Sequence, residues 1–453
     1  MMNKGLYTAR HTVNESAVKP HLTLCWWLLL ALANAVIPSW AAADFKAGVA
    51  SIDITPPRGW RLAGEFNERI STNTLSPLHA RAIVFQQGRE SAAVVICDLL
   101  DIDNHVAQQA RLRASQRCGI PYGNILIAAT RTPNGPLYHG AWRQHLHGKA
   151  AARDGRDLQE GVDYAAILAD QMVDLICQAN RAIQPARLGS GRADCSALLE
   201  GRDETNRTAD GDLAFLLVLT ETSSVAIGSL ASAPVPAGVF MGRSLSAGHP
   251  YVLEAVLRKT FGPGFLPLFA VSAESRIDLF KTPPSVNEES EFLGASLGQI
   301  ILGTIPTLKS VKPTLAVRSS RVPAPPSNTQ GDQVLAAREK LPRVGNGSLS
   351  PSEETAICRI LEQHQRVRSD ALLEVQVVKL GADTALVGLP GELPTDMAAT
   401  LRRGSPFKNT LLIGHCQETF TTSSEAGSSG TELPHAVGDL LLRTAADLLN
   451  KLK

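Results

Sequence analysis

Short apolar runs punctuate this chain at spacings that alternate with stretches of helical composition. Ala82–Phe85, Ala92–Cys97 and Asn124–Ala129 are β-rich and continuous enough to read as buried strands, and Val106–Arg117 between the last two reads as a helix. Strand, helix and strand in that order form a βαβ unit. The pattern continues with a helix over Tyr164–Ala182, strands at Ala214–Leu219 and Val225–Leu230, a helix at Val252–Phe261 and a strand at Leu266–Val271. A helix at Glu288–Leu302 and a strand at Thr314–Val322 precede a Pro/Ser/Gly-rich stretch, placed at about 323–350 and read as an internal linker. Beyond it the pattern predicts a helix at Ser352–Gln363, strands at Leu373–Leu380 and Ala385–Gly388, a helix at Leu393–Arg403, a strand at Thr410–Gly414 and a closing helix at Ala436–Leu452. Crossovers of this kind favour a sheet covered on both faces. The expected fold class is therefore α/β: one large domain with a mixed, mainly parallel sheet covered by helices.

The start of the chain does not fit that pattern. Residues 1–43 combine a basic segment with Lys4, Arg10 and Lys19, an apolar run from Leu22 to Val36, and the small residues Ala41, Ala42 and Ala43. These are the marks of a secretory leader, and the run is shorter than the roughly 20 residues that a spanning helix needs. The mature chain is thus expected to be 44–453, periplasmic or secreted, with no stable membrane span. With 44 Lys and Arg against 43 Asp and Glu, the net charge is +1, which provides no field to attract nucleic acid. An oxidising compartment would permit disulfides among Cys97, Cys118, Cys177, Cys195, Cys358 and Cys416, but no spacing selects a pairing.

Candidate chemistry concentrates after the third strand, where Thr130-Arg131-Thr132-Pro133-Asn134-Gly135-Pro136 occupies the kind of position at which α/β folds place ligand loops. Three other segments accompany it in consistent order along the chain: Ala47-Gly48-Val49-Ala50-Ser51-Ile52-Asp53-Ile54-Thr55-Pro56-Pro57, Ser76-Pro77-Leu78-His79-Ala80-Arg81-Ala82 and Gly388-Leu389-Pro390-Gly391-Glu392. Together they resemble the neutral (non-lysosomal) ceramidase family over nearly the whole mature chain. The resemblance implies an amidohydrolase whose zinc, held by two histidines, a glutamate and a tyrosine, activates water to cleave a fatty-acyl amide.

The same comparison implies that the zinc site is degenerate. Where the family has Thr-His-Thr-His-Ser-Gly-Pro, Arg131 and Pro133 stand in the histidine positions, and a guanidinium has no lone pair for a metal. The second ligand position falls on Ala233, and the tyrosine position aligns loosely with Thr431. Leu245-Ser246-Ala247-Gly248-His249-Pro250 and Ser275-Arg276-Ile277-Asp278-Leu279 match family segments that carry aspartates at positions now lost. Only Glu392 survives among the four ligands. One carboxylate cannot hold zinc, so no cofactor is expected, and Arg131 is expected to pair with Glu392 where the metal would sit.

Two departures from that picture stay open. The first is a metal site rebuilt on His139, His145 and His147, the last two spaced i, i+2 as on one face of a strand; zinc would then be the cofactor of a hydrolase of N-acyl amide bonds. The second is a purely structural or partner-binding protein. The expected reading remains an inactive ceramidase-like protein that keeps a cleft for a lipid or other small molecule, lined by Arg131, Asn134, Arg276 and Asp278. Asp98, His79 and His249 are secondary candidates, and Gly294-Ala295-Ser296-Leu297-Gly298 matches a nucleophile elbow only in letters, because it falls inside an expected helix.

Overall fold

In the computed structural model the first sheet is built from hairpins as much as from crossovers. The structure describes residues 45–65, 67–199, 211–235, 242–273, 286–323, 331–367, 372–391, 393–417 and 435–453, so the leader lies outside the described residues. Strands β1 (Phe45–Asp53), β2 (Asn73–Thr74), β3 (His79–Gln87) and β4 (Glu90–Cys97) lead into helix α1 (Asn104–Cys118). There follow β5 (Ile125–Ala129), α2 (Gly140–Asp154), α3 (Tyr164–Arg181), β6 (Gln184–Asp194), β7 (Asp212–Thr220), β8 (Ala226–Ala233) and β9 (Ser244–Leu245). Helix α4 (His249–Phe261), β10 (Leu266–Val271), α5 (Val286–Thr304), β11 (Lys309–Val311) and β12 (Pro313–Pro323) complete this half. The remainder comprises α6 (Gly331–Lys340), α7 (Pro351–Val367), β13 (Leu372–Gly381), β14 (Thr384–Gly388), α8 (Thr395–Gly404), β15 (Asn409–Ile413) and α9 (His435–Leu452).

One sheet runs β10-β8-β7-β6-β1-β3-β4-β5, with β11 also on β6, and a second runs β12-β13-β14-β15. The expected mainly parallel sheet is corrected here. In the larger sheet only β4/β5 and β8/β10 are parallel, and every other pair is antiparallel. The reason is local: β3 and β4 are joined by the two residues Gly88 and Arg89, with Gly88 at φ 58°, a turn too short for anything but a hairpin. Within this sheet crossover helices serve only those two parallel pairs.

The apolar runs are buried on both faces because two sheets and two helical layers share them. Along β4, Ala93, Val95 and Cys97 pack under α1 and α3 with Ala107, Ala110, Leu168 and Met172, while Ala92, Val94 and Ile96 meet Val378, Leu386 and Leu411 of the second sheet. That alternation is the strand period of two. On the far side, Ala385 and Val387 face α8 and α9 through Leu401, Leu441 and Leu449. The layers are therefore helix, sheet, sheet, helix. Cys118 and Cys177, buried in or near the first helical layer, form a disulfide that ties the end of α1 to α3, with Cα atoms 5.6 Å apart.

Two of the departures from expectation have a local cause. The stretch read as a linker contains α6, because Val334 and Ala337, one turn apart, bury against Trp142, Leu146, Ile357 and Leu361. Likewise β6, with Gly189, Ser190 and Gly191 at its middle, shows no apolar alternation and no strand was expected there. Its small residues are what let Leu308 lie on it: a Cβ on Gly191 would come within 2.7 Å of that side chain. Among the described residues no helix is long and apolar enough to cross a membrane.

Candidate functional site

The carboxyl ends of strands from both sheets converge on one place. Thr130 N–H donates to Cys97 O (2.9 Å) and Ala129 N–H to His415 O (3.4 Å), which joins the ends of β4, β5 and β15. Ser272 N–H donates to Ala233 O (2.9 Å), Gly414 N–H to Val271 O (2.8 Å) and His415 N–H to Gly391 O (2.8 Å), which brings in β8, β10 and the loop after β14. Arg131, Ala233 and Gly391 thus lie around a common centre occupied by His415. Glu392 itself, Arg276, Asp278 and Thr431 lie outside the described residues. The expected Arg131–Glu392 pair falls there too.

Of the four described non-glycine residues with left-handed backbone, three lie at this centre and the fourth, Ser224, in the β7–β8 turn. Arg131 (φ 66°), His415 (φ 54°) and Gln417 (φ 62°) all adopt left-handed conformations although none is glycine. Such residues cost on the order of 1 kcal/mol each and tend to cluster where a site requires them. Arg131 Nη1 donates to Leu100 O at 3.3 Å. His415 is 1% exposed, and burial, followed by the Arg131 guanidinium, pushes its pKa well below the ordinary histidine value, with Asp101 opposing. It is a neutral imidazole. Among the described residues its Nδ1 has no hydrogen-bond partner, and neither have the hydroxyls of Thr130 and Ser272, both fully buried at the neighbouring strand ends. Asn134, by contrast, is a clamp: its Nδ2 donates to Ser244 O at 2.6 Å, which fixes the loop against β9.

The three histidines expected as a cluster are not brought together. Residues 140–154 form helix α2, so the i, i+2 spacing of His145 and His147 directs them about 200° apart rather than to one strand face. His145 stacks on Trp142 with ring centroids 5.5 Å apart, and burial lowers its pKa. His139 Nε2 lies 2.7 Å from Asp101 Oδ1. His147 turns instead to Asp157 and Glu160, with Nδ1 3.0 Å and 3.2 Å from their oxygens. Arg61, 1% exposed, binds the same two acids. Although burial opposes it, the Arg61 guanidinium holds the Asp157 carboxyl below its usual range. A cavity of about 420 Å³ opens beside this group, with Trp60, Tyr138 and Tyr164 among its walls.

Of the secondary candidates, Asp98 belongs to a buried ion-pair network. Asp98 accepts from His79 N–H and Arg81 Nη1, both at 2.9 Å, and Arg81 also binds Glu254. The Gly294–Gly298 pattern is helical, as expected, and its glycines admit Val252 and Val256 of α4 against α5.

No family model matches the chain, and no curated protein matches it by sequence. Solved structures do. Neutral ceramidase from Pseudomonas aeruginosa superposes with a TM-score of 0.66 at 16% identity, covering 90% of this chain and 74% of that one. A second, described as ceramidase complexed with C2, gives 0.66 at 14% identity over 90% and 75%. The fold is that of neutral ceramidase.

Sequence signals for the ceramidase fold were the short segments near β1, β3, β5 and β14. The zinc that this fold family implies finds a poor donor set at the strand ends. Arg131 offers only donors, Ala233 offers nothing, and among the described residues at the strand ends His415 alone presents an imidazole with an unused nitrogen. The described residues at the strand ends do not fit the ion. His415 was missed from sequence, although its place directly after the Thr410–Gly414 strand marks it as a strand-end residue. Asp157 and Glu160 had no local signal, since their partner Arg61 is 96 and 99 residues away.

A pH dependence follows from His415. Its folded pKa lies below the unfolded value near 6.5, so the unfolded chain binds the extra proton and stability falls as pH drops below about 6.5. Between pH 7.5 and 5.5 this residue should remove about 1 kcal/mol. Urea midpoints at the two pH values measure it, and H415N, which keeps a residue tolerant of positive φ, should flatten the difference.

Proposed function

We propose that this is an exported protein that uses the ceramidase fold without zinc amidohydrolase chemistry and keeps a small-molecule binding role at the strand ends. The observation that carries the proposal is the pair Arg131 and Ala233 at two of the positions where the resemblance places zinc ligands. The Thr130 and Ser272 hydroxyls and His415 Nδ1, without a partner among the described residues, support retained binding, because a bound polar group would satisfy these buried atoms. The basic and apolar leader and the Cys118–Cys177 disulfide support export. A lipid or other small molecule with a polar head is the ligand class that fits these atoms. The rival, a hydrolase rebuilt on His139, His145 and His147, loses its support because these side chains point to three different partners.

Hydrolysis of a fluorescent N-acyl sphingosine tests the proposal. The expected result is no turnover sensitive to a chelator. Chelator-sensitive turnover that disappears in E392Q would overturn it.

A further inference from the structure

His147, Asp157 and Glu160 converge beside Arg61 and Arg143, away from the strand ends. His147 Nδ1 lies 3.0 Å from Asp157 Oδ2 and 3.2 Å from Glu160 Oε2. Ligand atoms each about 2.1 Å from one ion, in tetrahedral or octahedral array, are separated by about 3.0–3.4 Å. The three atoms all lie within 4.8 Å of one another. The separations of the imidazole nitrogen from the two acids are thus those of ligands on one ion, with the third pair inside 4.8 Å.

Their support is preorganised. The Asp157 and Glu160 side chains are each 1% exposed. Gln159 N–H donates to Asp157 Oδ1 at 3.1 Å, and Arg61 Nη1 lies 2.6 Å from Asp157 Oδ2 and 3.2 Å from Glu160 Oε1. A carboxylate oxygen has a second lone pair, so these bonds leave each acid able to take an ion. In the loop after α2 the acids turn inward while Leu158, 59% exposed, turns outward. Such an inversion of the usual burial order holds charge where a cation can use it.

Arg143 is the other cation present. Its Nη2 binds Glu160 Oε2, the same oxygen that His147 approaches, and its side chain is 31% exposed while that of Arg61 is 1% exposed. A half-surface guanidinium can swing out, whereas Arg61 cannot. Beside them, the cavity of about 420 Å³, lined by Arg143, His147, Glu160 and Tyr138, gives an entry path and room for water to complete the coordination.

We propose that His147, Asp157 and Glu160 bind a divalent transition-metal ion of the zinc class, and that Arg143 occupies the position in its absence. His147 would bind through Nδ1 and carry its proton on Nε2. An imidazole in the set disfavours magnesium, which prefers oxygen ligands and retains its water. This site is separate from the strand ends where zinc chemistry is proposed to be lost.

Zinc titration of the purified full-length protein against a competing fluorescent chelator tests the proposal, with magnesium as the control ion. Wild type should bind zinc in the micromolar range and H147A should bind at least tenfold more weakly. R143M should bind tighter than wild type, because the competing cation is gone; circular dichroism checks that both variants fold. Absence of zinc binding in both wild type and R143M up to millimolar ion would overturn the proposal, as would equal affinity in H147A or weaker binding in R143M. Zinc binding that is lost in E392Q but kept in H147A would overturn this proposal and the loss of the strand-end site alike. Loss in H147A alone leaves the proposed function standing.

Discussion

Replacing Arg81 with methionine should destabilise the protein by about 3–5 kcal/mol, since it strips the counterion from two buried acids. Arg81 sits on β3, 4% exposed, with Nη1 2.9 Å from Asp98 Oδ2 and Nη2 bonded to Glu254 of α4. Asp98 is wholly buried at the end of β4 and would keep only the His79 N–H. Glu254 would keep Arg258, four residues along the same helix and more exposed. The cost therefore falls mainly on Asp98. Adding D98N to R81M removes the stranded charge and should recover part of the loss, so the two substitutions should be strongly non-additive. Urea unfolding of the single and double variants measures this. An R81M midpoint within 0.5 kcal/mol of wild type would show that water reaches the two carboxylates.

Loss of the Cys118–Cys177 disulfide should be comparably severe. The bridge spans 59 residues, and closing a loop of that length in the unfolded chain is worth about 4 kcal/mol. The double substitution C118S/C177S should lower stability by up to that amount, and reductant should do the same to wild type and nothing further to the variant. The remaining thiols offer no substitute. Cys97, Cys195, Cys358 and Cys416 are buried, and burial pushes the Cys195 thiol up to about 12 and those of Cys97 and Cys416 higher still. They should resist alkylation until the protein unfolds, which peptide mapping after labelling in native buffer will check.

Both predictions turn on side chains whose importance is invisible locally. Arg81 reads as one polar residue at the start of an apolar run, and its partner Glu254 is 173 residues away. His415 gains its neutrality from burial and from Arg131 on another strand end. The Arg61 network joins a loop after β1 to the loop after α2. In each case an acid or base changes meaning because of what the fold places beside it.

The sequence by itself determined where apolar segments must be buried, because strand and helix periods are properties of a few consecutive residues. It placed β3, β4, β5, β7, β10, β13, α1, α3, α5 and α9 within a few residues of where they stand. It also placed a guanidinium at Arg131, where the resemblance expects a zinc-binding imidazole, and lone pairs belong to the residue and not to its surroundings. Only the tertiary structure decided the direction of strand pairing, which depends on hairpin and crossover geometry. It alone made a strand of β6 and a helix of α2, whose residues gain order from Leu308 and from α7 rather than from their own pattern. And it alone brought His415 to the strand ends and His147 to Asp157, since convergence of distant side chains is set by packing, which no local period encodes.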